Sequence, residues 1–114
     1  MKLESVGEVI AMRTLFLAND QNCKILVKLG KPQLMPPAPD AVGDHYYCPF
    51  QITGIGSEKV TYAGGVDAFQ SLELGLQMIG SKLAFLNKEH NGQLRWDGDE
   101  NGGLGFPFPE VFRE

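Results

Sequence analysis

Asp97, Asp99, Asn101 and Gly102 stand in the stretch RWDGDENGGLGFP at the spacing D-x-D-x-N-G. Calcium-binding loops of the EF-hand type open this way, because alternating carboxylate and amide oxygens suit a hard cation and the glycine permits a sharp turn. Such a loop also needs a bidentate Glu at its twelfth position. Counted from Asp97, that position is Phe108, and Glu110 follows two residues late behind Pro107 and Pro109. No helical pattern flanks the stretch. It is read as a turn made of the residue types that turns use. Asp97, Asp99 and Asn101 are left as a weak calcium candidate, and no resident metal or cofactor is expected.

Other catalytic constellations are sparse. A cysteine nucleophile at Cys48 would need His45 or His90 as its base. In a strand, positions 45 and 48 point to opposite faces, so His45 is badly placed to activate the thiol. Two Cys and two His without paired spacing do not make a zinc site. The glycines of GIGSEK lead into a strand pattern rather than a helix, so they serve a hairpin and not a phosphate. Asp67 and Glu73, six apart, do not share one helix face. Catalysis is therefore not expected.

The chain has 114 residues and a net charge of −4. That length suits one domain, residues 1–114, with a core of its own. Fourteen Gly and seven Pro imply many turns. Residues 1–88 hold eight acids and eight bases, whereas residues 89–114 hold six acids and two bases, so the net charge belongs to the C-terminal end. No basic footprint for nucleic acid is present. Glu4 and Glu8 interrupt any secretory apolar core near the start. No apolar run approaches the length that spans a membrane. Cys23 and Cys48 are too few for a disulfide scaffold. The expectation is a soluble cytoplasmic protein with reduced thiols.

The elements that must position these residues follow from periodicity. EVIAMRTLFL (Glu8–Leu17) is rich in β-branched and large apolar residues and reads as a strand. After the turn formers of ANDQN, KILVKLGK alternates Ile25, Val27 and Leu29 against Lys24 and Lys28, giving an antiparallel hairpin. Four prolines make Gly30–Asp44 a loop. HYYCPFQITGI is the third strand, with Tyr46, Cys48, Phe50 and Ile52 on one face. Pro49 lacks a ladder donor, so an edge or a bulge is expected there. KVTYAGG is a short fourth strand with Val60 and Tyr62 inward. Then DAFQSLELGLQMIGSKLAFLNK reads as one long helix. Asp67 is its N-cap and Gln70 can complete a capping box. Phe69, Leu72, Leu76, Ile79, Leu83 and Leu86 form its apolar stripe, widened by Leu74, Met78 and Phe85. Gly75 and Gly80 are placed where the helix nears the sheet. Asn91–Gly92 stops the helix, QLRW offers a short last strand, and Leu104, Phe106 and Phe108 anchor the tail. The fold expected is α+β: a four-stranded antiparallel meander covered on one face by one long helix, with an irregular C-terminal segment.

The stretches YYCPFQITG, GVDAFQ, LQMIG and GLGFP, spread over Tyr46–Pro107, resemble a family of small uncharacterised bacterial proteins. That resemblance implies a shared framework at Asp67, Gln70, Gln77 and Gly105–Pro107, and implies no established activity.

Two functions of different class follow. The first is a small binding or interaction module, of accessory or immunity type, without catalysis. Its candidate surface is Tyr46, Tyr47, Asp67, Gln70, Trp96, Asp97, Asp99 and Glu100, and its partner a protein with a basic surface. The second is a small-ligand binder or enzyme with its pocket between the helix start and the Gly102–Pro107 tail, lined by Asp67, Gln70, Trp96 and Asp99.

Overall fold

A computed structural model describes residues 1–40, 42–98 and 103–107. Its strands are β1 (Val9–Leu17), β2 (Asp20–Gly30), β3 (Gln33–Leu34), β4 (Tyr46–Thr53), β5 (Thr61–Gly65) and β6 (Leu94–Arg95), and α1 spans Ala68–Glu89. The four longer strands form the expected antiparallel meander β1–β2–β4–β5, and α1 covers one face. The sheet has six strands rather than four. The two additions have two residues each: β6 falls in QLRW, where a short last strand is expected, whereas β3 is too short for periodicity to reveal. β6 extends the β1 edge at Phe16 and Leu17. β3 lies inside the proline-rich loop, where Gln33 and Leu34 pair with Tyr47 and Tyr46.

β3 continues β2 along the same edge of β4. Between the pair Leu29–Phe50 and the pair Gln33–Tyr47 the β2–β3 side has one residue more than β4, which is a bulge. It falls opposite Pro49, the position that cannot donate to the ladder. The ring of Pro49 and the Val6 carbonyl leave room only for a glycine at Gly30.

The core contains Leu15, Ile25, Val27, Leu29, Cys48, Phe50, Ile52, Ile79, Leu83 and Leu94, all buried. Three details of orientation differ from the sequence expectation. Thr61 and Ala63, not Val60 and Tyr62, face the helix, because they pair with Phe50 and Cys48. Tyr62 stands on the opposite face, edge-on to Tyr47 at 5.9 Å. The keel of α1 is Ser71, Gly75 and Ile79, all buried, with Leu72, Leu76 and Leu86 half-buried beside it. Phe69 is turned to the flank and is 84% exposed.

The two helical glycines separate in role. A Cβ on Gly75 would lie 3.4 Å from the Cys48 sulfur, so here the helix does approach the sheet. A Cβ on Gly80 would run into the Pro107 carbonyl, so this glycine admits the tail instead. At the helix start the Asp67 carboxylate accepts the Gln70 N–H at 2.7 Å, while the Gln70 side chain accepts the Val66 N–H at 2.8 Å. The reciprocal bond of the box is thus shifted one residue upstream. At the other end the Gly92 N–H reaches the Asn87 carbonyl at 2.7 Å, and the Asn87 side chain accepts the Leu94 N–H at 2.9 Å. Asn87 in this way ties the helix end to β6.

Ile79→Ala is expected to cost about 2–5 kcal/mol, the range for truncating a fully buried aliphatic side chain. Phe69→Ser should stay within about 0.5 kcal/mol of the parent. Urea unfolding checks both, and an equal loss in the two variants would reject this orientation of the helix.

Candidate functional site

The loop joining β4 to β5 is held by its own side chains. Glu58 accepts the Gly54 N–H on its carboxylate at 2.7 Å, and its carbonyl accepts the Gln51 side-chain amide at 2.8 Å. Glu58 itself sits at φ 60°, an uncommon region for a residue with a side chain. Gly54, at φ 99°, passes so close to the Lys24 carbonyl that a Cβ would collide with it. The loop is therefore a shaped wall.

Opposite this wall stands the last third of α1. Between them lies a groove of about 490 Å³. Its floor is apolar, made by Phe50, Ile52, Ile55 and Leu86, with Phe85 along the helix side. Lys59, Lys82 and Glu89 stand at its rim. The Glu58 carboxylate also lines it, but is turned onto its own loop. The Ser81 hydroxyl donates to the Gln77 carbonyl at 3.1 Å and so is already engaged. Phe85 is 63% exposed although its side chain borders the groove.

The residues singled out in the sequence occupy other places. Asp67 and Gln70 spend their side chains on capping α1. Tyr46 is half-buried between Leu34 and Gly65 of the neighbouring strands. Tyr47 is half-buried, with its hydroxyl 3.5 Å from the Gln33 side-chain oxygen. Asp97 is exposed. Asp99, Glu100 and Asn101 lie outside the described residues, as does the twelfth-position Phe108. The tail meets α1 at Gly80, ten residues and about 15 Å along the helix from Gln70. Trp96 and the pair Asp67–Gln70 are thus not brought together. Among the described residues no three His, Cys, Asp or Glu side chains converge as metal ligands. No described helix is long and apolar enough to cross a membrane.

Trp96 belongs instead to a cluster that the sequence reading missed. The Arg13 guanidinium lies 3.7 Å over the Trp96 ring and 4.7 Å from the Phe106 ring, and donates to the Leu104 carbonyl at 3.0 Å. Removal from water lowers its pKa below the ordinary value. A Cβ on Gly98 or Gly105 would strike the indole, so glycine at both positions lets the chain wrap Trp96. The signal was available in β1, where alternation places Arg13 on the same face as Leu15 and Leu17.

Cys48 is buried, and its thiol donates weakly to the Gly30 carbonyl at 3.5 Å. Burial pushes its pKa up from 9.0 to about 11. At neutral pH it is a thiol, and a poor nucleophile.

A family model described as a domain of unknown function (DUF6968) matches residues 11–108 of the chain. No curated protein and no solved structure matches it.

The raised pKa of Cys48 has a consequence for stability. The native state holds this proton more tightly than the unfolded chain, so the contribution is complete below pH 9 and is lost as pH rises from 9 toward about 11. Denaturation midpoints of the parent should fall across that window more steeply than those of Cys48→Ala. Parallel curves for the two would show that the thiol ionises normally in the native state.

Proposed function

We propose that this chain, which belongs to the family of the domain of unknown function DUF6968, is a small binding domain without catalysis of its own, working through the groove between α1 and the β4–β5 loop. The observation that carries the reading is Phe85. A large aromatic side chain, 63% exposed, borders an apolar floor between walls shaped by hydrogen bonds. Aromatic side chains that become buried in apolar pockets on binding often act as energetic centres of interfaces. The rim charges of Lys59, Lys82 and Glu89 would orient a partner and contribute little affinity of their own.

A small amphipathic ligand is the second reading. It is favoured by the groove volume of about 490 Å³, which falls within the roughly 300–1,000 Å³ typical of small-molecule sites. The exposed Asp97 lies apart from the groove, and it opens an acidic stretch of sequence that would suit a basic partner.

These readings separate in one comparison. The domain is used to capture partners from its native cells in three forms: parent, Phe85→Ser, and the triple variant Asp97→Asn, Asp99→Asn, Glu100→Gln. The groove reading expects the first variant to keep its melting temperature within a few degrees and to lose the partner, while the triple variant retains it. Loss in the triple variant alone would move the working surface to the acidic turn. A bound small molecule would show as a mass adduct in native spectrometry of the parent and not of Phe85→Ser.

A further inference from the structure

β5 ends the sheet on its side. Among the described residues no strand pairs with its outer edge. Which main-chain groups point outward follows from the ladder. The Met35 N–H donates to the His45 carbonyl at 2.7 Å, which makes Gln33–Tyr47 a bonded pair of the same ladder. Tyr47 and Pro49 therefore turn their main chain toward β3 and β2, and Cys48 and Phe50 toward β5. In β5, Thr61, Ala63 and Gly65 face β4, and Tyr62 and Gly64 face outward. The next outward N–H, that of Val66, is taken by the Gln70 side chain.

Above this edge α1 carries apolar residues that the domain does not cover. The helix lies over the seam between β4 and β5, because Gly75 rests on Cys48 and Gly65 rests under Ser71. Among them, Leu74 and Phe85 lie on the β5 side, while Met78 between them is half-buried and packed against the core. Leu74 is 37% exposed and Phe85 63%. At about 100° per residue, Leu74 and Phe85 both point roughly a right angle to the same side of Gly75, the middle of the buried keel. The stripe therefore looks sideways, within the helix layer, and what it suits is another helix beside it.

We propose that β5 pairs antiparallel with β5 of a second copy of this chain about a two-fold axis at Ala63, joining the two sheets and laying the two α1 helices side by side. Three features of the chain are self-complementary in that register. First, Tyr62 stands opposite Gly64 of the partner copy, so the outward groups of each bond those of the other, and the tyrosine ring covers a glycine. Second, Lys59 stands opposite Asp67, and the pairing occurs twice by symmetry. Third, the spacing fits. Strands lie about 4.8 Å apart, and each helix axis sits about half a strand inside β5, so the two axes fall about 10 Å apart, the upper end of the packing distance of helices. Ala63 at the axis has no side chain large enough to hold them apart. This inference goes beyond the groove reading and does not require it.

Sedimentation equilibrium of the whole chain at micromolar to millimolar concentration tests it. The expected mass is twice 12.5 kDa, with a concentration-dependent approach to the single-chain value on dilution. Leu74→Lys should sediment as one chain while its amide NMR spectrum stays dispersed. The Tyr62 and Gly64 amides should exchange with solvent at least tenfold faster in that variant than in the parent. A parent that remains a single chain at millimolar concentration overturns the proposal. So does a dimer that Leu74→Lys leaves intact, or one whose Tyr62 and Gly64 amides exchange freely, since either places the interface elsewhere.

Discussion

One helix has to cover a sheet wider than itself. An α-helix with its side chains is about 10–12 Å across, and five strands side by side span nearly twice that width. Where the helix lies is decided by its narrowest face. Ser71 and Gly75 present almost no side chain to the sheet, and that face can approach β4 until it touches the buried Cys48. With α1 drawn over β4 and β5, β1 is left without a cover, and the opposite flank of the helix is left without a neighbour. Most of what is unusual in the molecule answers one or the other of these two gaps.

The gap over β1 is closed by the tail. A segment rich in glycine cannot supply a second helix, but it can bend around large side chains. Trp96 and Phe106 are those side chains, and Arg13 is the post to which they are fixed. An arginine suits the place better than a lysine. Its flat guanidinium offers a face to each ring and still donates in its own plane to the Leu104 carbonyl. Gly80 completes the arrangement from the helix side by letting Pro107 lie against the backbone of α1. Three distant parts of the chain, β1 at residue 13, α1 at residue 80 and the C-terminal stretch from Trp96 to Pro107, are thereby coupled.

That separation explains what was legible beforehand. Features set by local chemistry could be read directly: the Asp67 cap, the Asn91–Gly92 stop, the alternation of Ile25, Val27 and Leu29, and the irregularity imposed by Pro49. The resemblance of Tyr46–Pro107 to proteins without assigned activity agrees with the family found over residues 11–108. Features set by register could not be read. Tyr62 looked like the inward residue of its strand because it is the larger. The pairing with Pro49 turns it out, since the helix needs a side chain as small as Ala63 beneath it. Phe69 looked like the first member of the core stripe for the same reason, although a helix resting on glycine and serine is rotated away from its bulkiest line. Asp67, Gln70 and Trp96 drew notice as functional residues because polar and aromatic types do so. Their partners, supplied by the fold, make two of them caps and the third a packing element.

The gap on the other flank of α1 bears on function. A helix that only had to cover its own sheet would need the keel and little more. Here Leu74 and Phe85 are added beyond what the core covers, and exposed apolar side chains cost solubility unless something covers them. The rigid β4–β5 loop, with Glu58 held at an unfavourable backbone angle by its own carboxylate, frames one end of that stripe as a groove, and the unpaired edge of β5 frames its middle. The excess apolar surface and the open main-chain edge lie side by side on the flank that the tail does not reach. Two deficits of burial and bonding placed together are what the proposed association would cover.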